Sequence, residues 1–254
     1  MPPSLSRRLL AEFLGAGLLA TVVIGSGIAA ANLSPGEVGL QLFQNAAATG
    51  AGLYALILMF GPVSGAHFNP VVSFVDAAFG RIRWRRALAY LPAQVAGCMC
   101  GAVLANAMFS LSAVSISTHH RASGAHFLSE VVATAGLILV IFSMARNRRA
   151  TVVPAAVGAY IGAAYFFTSS TSFANPAITV GRMFSNTFAG IAPSSAPSFI
   201  AAQVLGGVVA FALIRVLYPT VMPTVAPPVV VGPEPSHQSE PTATRTRTSA
   251  EEVP

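Results

Sequence analysis

Long apolar stretches separated by short polar segments make up the first 218 residues of the chain. Three of them, 87–118, 150–181 and 183–214, each run 32 residues without Asp, Glu, Lys or Arg. About 20 mostly apolar residues are enough to cross the hydrocarbon core of a bilayer. The pattern predicts six membrane-spanning helices, near residues 9–31, 38–60, 86–109, 127–145, 151–170 and 197–217. The first stretch is longer than the apolar region of a signal peptide, so we expect it to be retained.

Two further apolar segments, 69–79 and 175–186, are too short to cross the membrane, and each opens with Asn-Pro. Segments of this length are typical of re-entrant or interfacial structure. Proline fits the first turn of a helix, because the N–H that it lacks would have no partner there. We therefore predict an all-α integral membrane protein with two half-helices that enter the membrane without crossing it.

Composition supports this prediction. Hydrophobic residues make up 54% of the chain and charged residues only 9%, against roughly a quarter charged in an ordinary soluble domain. The formal net charge is +6, and all fourteen basic residues are arginine. These arginines do not form a solvated face with interleaved aromatic residues, so they do not indicate nucleic-acid binding. The partner that the composition predicts is the lipid bilayer.

Arginine placement predicts the orientation, since cytoplasmic loops carry an excess of basic residues. With the N-terminus inside the cell, twelve arginines face the cytoplasm, and only Arg121 and Arg182 lie outside. The cytoplasmic set is Arg7, Arg8, Arg81, Arg83, Arg85, Arg86, Arg146, Arg148, Arg149, Arg215, Arg245 and Arg247. We predict a multi-pass protein of the cell membrane with both termini in the cytoplasm.

The composition changes after Tyr218. Eight of the eighteen prolines fall in 219–254, together with many Ser and Thr residues and no apolar periodicity. Such a segment cannot bury enough apolar surface to offset the entropy that it would lose on ordering. The sequence thus predicts one membrane domain over 1–218 and a disordered cytoplasmic tail over 219–254.

The two halves of the membrane domain, about 7–118 and 122–218, repeat the same motifs in the same order. Glu12 and Glu130 open the first helix of each half, an Asn-Pro motif follows, and the third helix carries Gln94 or Gln203. Three spans in each half is an odd number, so the second half must be inserted upside down. Inverted repeats with broken helices generally place the functional site near the midplane, between the copies.

The run from Ser64 to Val71, Ser-Gly-Ala-His-Phe-Asn-Pro-Val, stands beside a second motif at 175–177, the paired glutamates and the six spans. Together they closely resemble the aquaporin and aquaglyceroporin family, over about residues 7–218. The resemblance implies six spanning helices with two re-entrant half-helices, a passive channel for small uncharged solutes, and a homotetramer with one pore per protomer. It implies no enzymatic activity, no catalytic residue and no cofactor.

The expected pore motifs are Asn69, Pro70 and Val71 in the first half and Asn175, Pro176 and Ala177 in the second. Each helix N-terminus carries about half a positive charge, and each Asn side chain adds an NH2 donor. Permeant hydroxyls can accept hydrogen bonds at the midplane, while cations meet a positive potential there. The simpler alternative is that the two Asn residues only cap the helices. The resemblance implies that they do both.

Ionisable residues inside apolar helices are costly and by default functional. Glu12 and Glu130 could relay protons, or they could accept hydrogen bonds from the irregular backbone that leads to each half-helix. Such backbone must find its partners within the protein. The resemblance favours this supporting role, and it gives His67 a structural role as well, rather than that of a gate or ligand.

In this family, four positions at fixed offsets from the Asn-Pro motifs form an outer constriction, usually of aromatic residues and one Arg. The offsets give Thr49, Ala163, Ser172 and Ile178. An Arg is expected where Ile178 stands, a His in water-selective members where Ala163 stands, and an aromatic residue where Thr49 stands. Arg182, the next cation, lies about one helical turn further on and need not face the pore. We therefore predict a wide, less polar and uncharged opening.

Such an opening argues against a strict water channel, and Ile178-Thr179 departs from the Arg-Asp pair of glycerol facilitators. The pattern is most similar to channels associated with bacterial arsenic resistance, which would conduct arsenite as uncharged As(OH)3. The alternatives are a general glycerol and water channel and, from another class, an ion-coupled secondary transporter. Cys98 and Cys100 point apart on a helix, so no metal site is predicted.

Overall fold

A computed structural model of the chain describes residues 2–147 and 149–219. Within these residues the chain forms eight α-helices and one short 3-10 helix at Ala150–Val152. The helices are α1 (Leu5–Leu33), α2 (Val38–Ser64), α3 (Pro70–Ala78), α4 (Trp84–Met108), α5 (Gly124–Arg146), α6 (Val153–Phe167), α7 (Pro176–Arg182) and α8 (Ala196–Leu217). The predicted tail, from residue 220 onward, and Arg148 lie outside the described residues.

Six helical segments are long and apolar enough to cross a membrane: α1, α2, α4, α5, α8, and α6 together with the 3-10 turn before it, Ala150–Phe167. The other two, α3 and α7, are short, with 9 and 7 residues. The predicted all-α architecture of six spans and two half-helices is therefore confirmed. Several boundaries differ from the prediction by three or four residues: α1 begins at Leu5 rather than near 9, and α2 ends at Ser64 rather than near 60. In the second half, α6 ends at Phe167 rather than near 170, and α7 ends at Arg182 rather than near 186. The α6 helix ends early because Thr168 takes an extended conformation.

Equivalent helices of the two halves form equivalent pairs. Helix α1 packs along α4, and α5 packs along α8. Glycine makes both contacts close, because a β-carbon at Gly97 would collide with the backbone of Phe13, and one at Gly206 would collide with the backbone of Val131. Small residues of this kind allow helix backbones to approach within a membrane. The half-helices α3 and α7 each contact both α4 and α8, which places them between the two pairs.

The two cysteines lie on different faces of α4. Cys98 is buried, with its Sγ 3.5 Å from the carbonyl oxygen of Ala16, whereas Cys100 is exposed. Within the described residues, no group of three His, Cys, Asp or Glu side chains is placed to hold a metal ion. Two thiols that diverge in this way cannot share one soft ion.

Candidate functional site

The two half-helices begin in the same way. Asn69 caps α3, and its Oδ1 accepts a hydrogen bond from the N–H of Val71 at 2.9 Å. Asn175 caps α7, and its Oδ1 accepts from the N–H groups of Ala177 at 2.9 Å and Ile178 at 3.3 Å. Proline follows each Asn at the first helical position, where its missing N–H costs nothing. These contacts satisfy donors that a helix start would otherwise leave unpaired.

The same two Asn side chains join the half-helices to each other. The Nδ2 of Asn69 donates to the carbonyl oxygen of Ala174 at 2.7 Å, and the Nδ2 of Asn175 donates to that of Phe68 at 2.8 Å. A carboxamide nitrogen carries two protons, and each crossing bond uses one of them. The N-terminal ends of α3 and α7 therefore meet, and both Asn residues line one cavity there.

Backbone conformation before each Asn also repeats. Ala66 and Phe68, three residues and one residue before Asn69, have φ angles of 50° and 51°. The two residues at the same distances before Asn175, Ser172 and Ala174, have φ angles of 48° and 47°. Left-handed backbone is unfavourable for residues with a β-carbon, and it persists only where the surroundings hold it.

Glu12 supplies part of that support in the first half. It is fully buried, and its carboxylate accepts hydrogen bonds from the N–H of His67 at 3.0 Å and the N–H of Phe68 at 2.7 Å. The Nε2 of Gln94 on α4 donates a third bond at 2.7 Å. The carboxylate thus pairs the irregular backbone that leads into α3.

Glu130 does the same in the second half. It accepts from the N–H groups of Phe173 at 2.9 Å and Ala174 at 2.8 Å, and from the Nε2 of Gln203 at 2.7 Å. The hydroxyl of Ser170 adds a fourth bond at 2.6 Å. Neither glutamate lines the cavity, so the geometry is that of a supporting carboxylate rather than of a proton-relay group in the pore.

His67 lies along the cavity wall next to the first half-helix. Its Nδ1 is 3.0 Å from the hydroxyl of Ser73, and its Nε2 is 3.4 Å from Oδ2 of Asp76, so both ring nitrogens have partners on α3. Arg81 lies 3.2 Å from the other oxygen of Asp76. The ring is held in place by these contacts, as a structural role requires.

Three of the four filter positions face the same cavity as the two Asn residues: Thr49 on α2, Ser172 before α7, and Ile178 on α7. Ala163 does not. It is exposed on the outer side of α6, so its prediction as a filter residue is wrong. Ile161 and Tyr165, two residues to either side of Ala163, line the cavity instead, and the hydroxyl of Tyr165 lies 3.2 Å from Oγ1 of Thr49.

The opening is also not uncharged. Arg182 lines the cavity, and its guanidinium carbon lies 3.4 Å from the centre of the Phe173 ring. Arg121, in the segment between α4 and α5, lies over the same ring at 5.6 Å. Burial lowers the pKa of Arg121 from its usual value, because it removes the guanidinium from water. The two arginines that the sequence predicts on the non-cytoplasmic side therefore contact the same aromatic ring, and one of them lines the cavity.

Sequence reasoning missed Tyr165 and Arg182 as cavity residues. Residues four apart lie on the same face of a helix, so the spacing of Ile178 and Arg182 was a usable signal for Arg182. The matching Gln94 and Gln203 were visible as part of the repeat, but their bonds to the glutamates were not. No local signal indicated Tyr165, because the chain between it and Asn175 leaves the helical path.

Known proteins share this sequence and fold. The sequence profile of the family described as Major intrinsic protein matches residues 2–174. The chain is 48% identical to Aquaglyceroporin AqpS of Rhizobium meliloti over 87% of this chain and 94% of that protein. It is 32% identical to the Glycerol uptake facilitator protein of Pseudomonas aeruginosa over 91% of this chain and 96% of that protein.

Among solved structures, the aquaglyceroporin from Plasmodium falciparum superposes with a TM-score of 0.68, covering 85% of this chain and 98% of that chain. Sequence identity to it is 20%, so this match concerns the fold. The matches in sequence and fold agree with the paired Asn motifs and with the six spans that surround them. The chain belongs to the major intrinsic protein family, whose members are not enzymes, and is a multi-pass membrane channel for small neutral solutes.

Proposed function

We propose that this channel conducts arsenite, as uncharged As(OH)3, together with small polyols such as glycerol. The observation that carries the proposal is the residue after the second Asn-Pro-Ala motif. Ile178 presents an aliphatic side chain to the cavity at the position where the family pattern has a guanidinium. An aliphatic group there leaves room for solutes larger than water and makes no hydrogen bond that would have to be broken as they pass.

The neighbouring side chains support a wide opening. Thr49 stands where an aromatic residue is usual in the family. Ser172, which precedes α7, lines the same cavity and is also small. Tyr165 is the aromatic residue of the set, and its hydroxyl faces that of Thr49. Apart from the guanidinium of Arg182, these residues present apolar walls with a few hydroxyl groups, which suits a compact solute with several hydroxyls of its own.

The chemistry of arsenite fits this lining. Trivalent arsenic at neutral pH is a neutral molecule with three hydroxyl groups, so it resembles a small polyol in size and hydrogen bonding. Asn69 and Asn175 offer donors to such hydroxyls where the half-helices meet. A neutral solute is not repelled by the positive potential of the two helix N-termini.

A general glycerol and water channel is the second candidate, and the name of the Pseudomonas relative, a glycerol uptake facilitator, favours glycerol as one of the solutes. An ion-coupled transporter is disfavoured, because the titratable pair on the cavity wall, His67 and Asp76, is held in mutual contact, and the two membrane glutamates lie off the cavity. Glu12 and Glu130 are both fully buried and have their carboxylates paired with backbone and glutamine donors.

We further propose that both termini are cytoplasmic and that four protomers assemble, each with its own pore. The shared position of Arg121 and Arg182 at Phe173 supports placing these two arginines on one side of the membrane. Assembly is supported by a groove between α2 and α6, which exposes the small side chains of Ala47, Ala51, Ala155 and Ala159 beside the rings of Phe43 and Phe166.

Proteoliposomes test the proposed solutes. Vesicles that contain the protein are mixed rapidly with an excess of glycerol or arsenite, and light scattering follows their reswelling. We expect faster reswelling than in protein-free vesicles for both solutes. Reswelling in glycerol alone would exclude arsenite and leave the polyol channel.

A further inference from the structure

Arg182 sits in the cavity one helical turn beyond Ile178. It is only 2% exposed, although it ends α7 and carries a charge. Both residues line the cavity, as the spacing of four residues on one helix allows. A buried charge normally requires compensation, so the contacts that hold this guanidinium determine what it can do.

Two contacts fix the guanidinium plane. Its Nε donates to the carbonyl oxygen of Ala189, and the plane packs on the ring of Phe173, with 3.4 Å between the guanidinium carbon and the ring centre. Within residues 2–147 and 149–219, no hydrogen bond is recorded from either terminal nitrogen, and no carboxylate lies within ion-pair distance. The side chain is therefore held at one edge, and its terminal N–H groups stay available to the cavity.

A hydroxyl without a partner lines the same cavity. Ser172 is buried, and its Oγ has no hydrogen-bond partner among the described residues. Ser172 is followed in the sequence by Phe173, the residue on whose ring Arg182 packs. A buried hydroxyl without a partner is costly unless something that enters the cavity completes its bonding. A hydroxylated solute beside Arg182 would do so.

The surrounding charge is positive. Arg121 lies over the Phe173 ring 5.6 Å from its centre, as a second cation close to Arg182. Glu130 is the acidic residue nearest in sequence to this region, and its carboxylate is already shared among four donors. A cation that enters at this end of the cavity therefore meets a guanidinium without a paired anion.

We propose that Arg182 is the specificity-determining residue of this pore, in place of the guanidinium that Ile178 lacks. From one turn further along α7 it repels cations and donates to the hydroxyls of neutral solutes, while Ser172 completes the contact. Ile178 thereby accounts for the wide passage, and Arg182 accounts for the exclusion of cations. The proposal rests on the proposed passage of neutral solutes through this cavity.

The test compares Arg182→Gln and Arg182→Lys in proteoliposomes. Potassium and proton leak are read from a potential-sensitive dye and an enclosed pH dye, and glycerol flux from light scattering. We expect Arg182→Gln to raise the cation leak about tenfold or more, because a nearby charge in a poorly solvated site acts strongly on ions. Arg182→Lys keeps the charge and should leak as little as the unmodified protein. Equal leak in both variants, or no increase in Arg182→Gln, would overturn the proposal.

Two further variants separate the possible causes. Arg215→Gln removes an exposed arginine outside this cavity and should not change the leak. Ser172→Ala removes a hydroxyl that makes no hydrogen bond within the described part of the chain, so this variant tests the solute contact even if Arg182→Gln does not fold. We expect Ser172→Ala to slow glycerol and arsenite flux several-fold with no added cation leak, and unchanged flux would contradict the contact. A protein that conducts neither solute before substitution would instead refute the proposed function.

Discussion

Asn69 donates a hydrogen bond to the backbone carbonyl just before Asn175, and Asn175 donates one to the carbonyl just before Asn69. Each side chain thereby caps its own half-helix and ties it to the other. The same two carboxamide groups offer donors to a permeating solute and form the hydrogen bonds that join the half-helices. Changing either Asn therefore affects stability and selectivity together.

Asn175→Asp separates the two tasks of this side chain. The oxygen that caps α7 is kept, but the donor to Phe68 is lost, and two acceptors then face each other at 2.8 Å. We expect a loss of about 1–3 kcal/mol in stability, a lower melting temperature in detergent, and a cation leak caused by the added negative charge. Asn147→Asp, at the C-terminal end of α5, is the control. Cation leak and stability equal to those of the control would refute the double role.

Replacing the buried glutamates tests support against proton relay. In Glu130→Gln an amide NH2 group faces N–H donors that formerly met a carboxylate oxygen. We expect lower thermal stability and reduced glycerol flux, and the same for Glu12→Gln, while Glu37→Gln at an exposed position changes neither. A relay would give another result: a stable protein whose solute flux depended on a pH gradient before substitution and lost that dependence afterwards.

Ile178→Arg restores the guanidinium that the family pattern has after Asn-Pro-Ala. Because Ile178 lines the cavity, the longer charged side chain narrows the passage beside Thr49. We expect glycerol and arsenite flux to fall by about tenfold, which corresponds to ~1.4 kcal/mol in the barrier, with water flux much less affected. Ile178→Leu keeps volume and polarity and should behave like the unmodified protein. Unchanged arsenite and glycerol flux in Ile178→Arg would remove Ile178 from the constriction.

The cysteines should have no part in arsenite passage. Cys98 is buried against α1, and Cys100 is exposed on another face of α4, so neither lines the cavity. The double variant Cys98→Ala/Cys100→Ala should keep its full arsenite flux, measured against glycerol flux in the same vesicles. A selective loss of arsenite flux would reveal a thiol site on the path.

The sequence was sufficient for the elements whose signals are local or repeated. Apolar length predicted the six spans, and Asn-Pro at the start of short apolar segments predicted the half-helices. The paired glutamates were evident because a carboxylate stands out in an apolar helix. The backbone that each one binds could be proposed, since irregular backbone within a membrane needs partners there.

The lining of the opening was less predictable. Counting back from Asn175 to Ala163 assumes a fixed path, yet α6 ends at Phe167 and the next residues include left-handed Thr171 and Ser172. That segment determines which face of α6 is turned to the cavity, and this face carries Ile161 and Tyr165 rather than Ala163. The sequence did not require Arg182 to face the pore, although its spacing from Ile178 allowed both residues to share one helix face. The lack of an arginine at the position of Ile178 therefore did not mean that the cavity lacks a charged group.

Passive conduction of small neutral hydroxylated solutes can be measured by stopped-flow light scattering on proteoliposomes. Water, glycerol and arsenite are compared in the same vesicle preparation, over a range of solute gradients, with and without an imposed pH or sodium gradient. We expect glycerol and arsenite fluxes that rise in proportion to the solute gradient without saturating and do not respond to ion gradients. Fluxes that saturate and follow an ion gradient, or vesicles that pass water but neither solute, would contradict it.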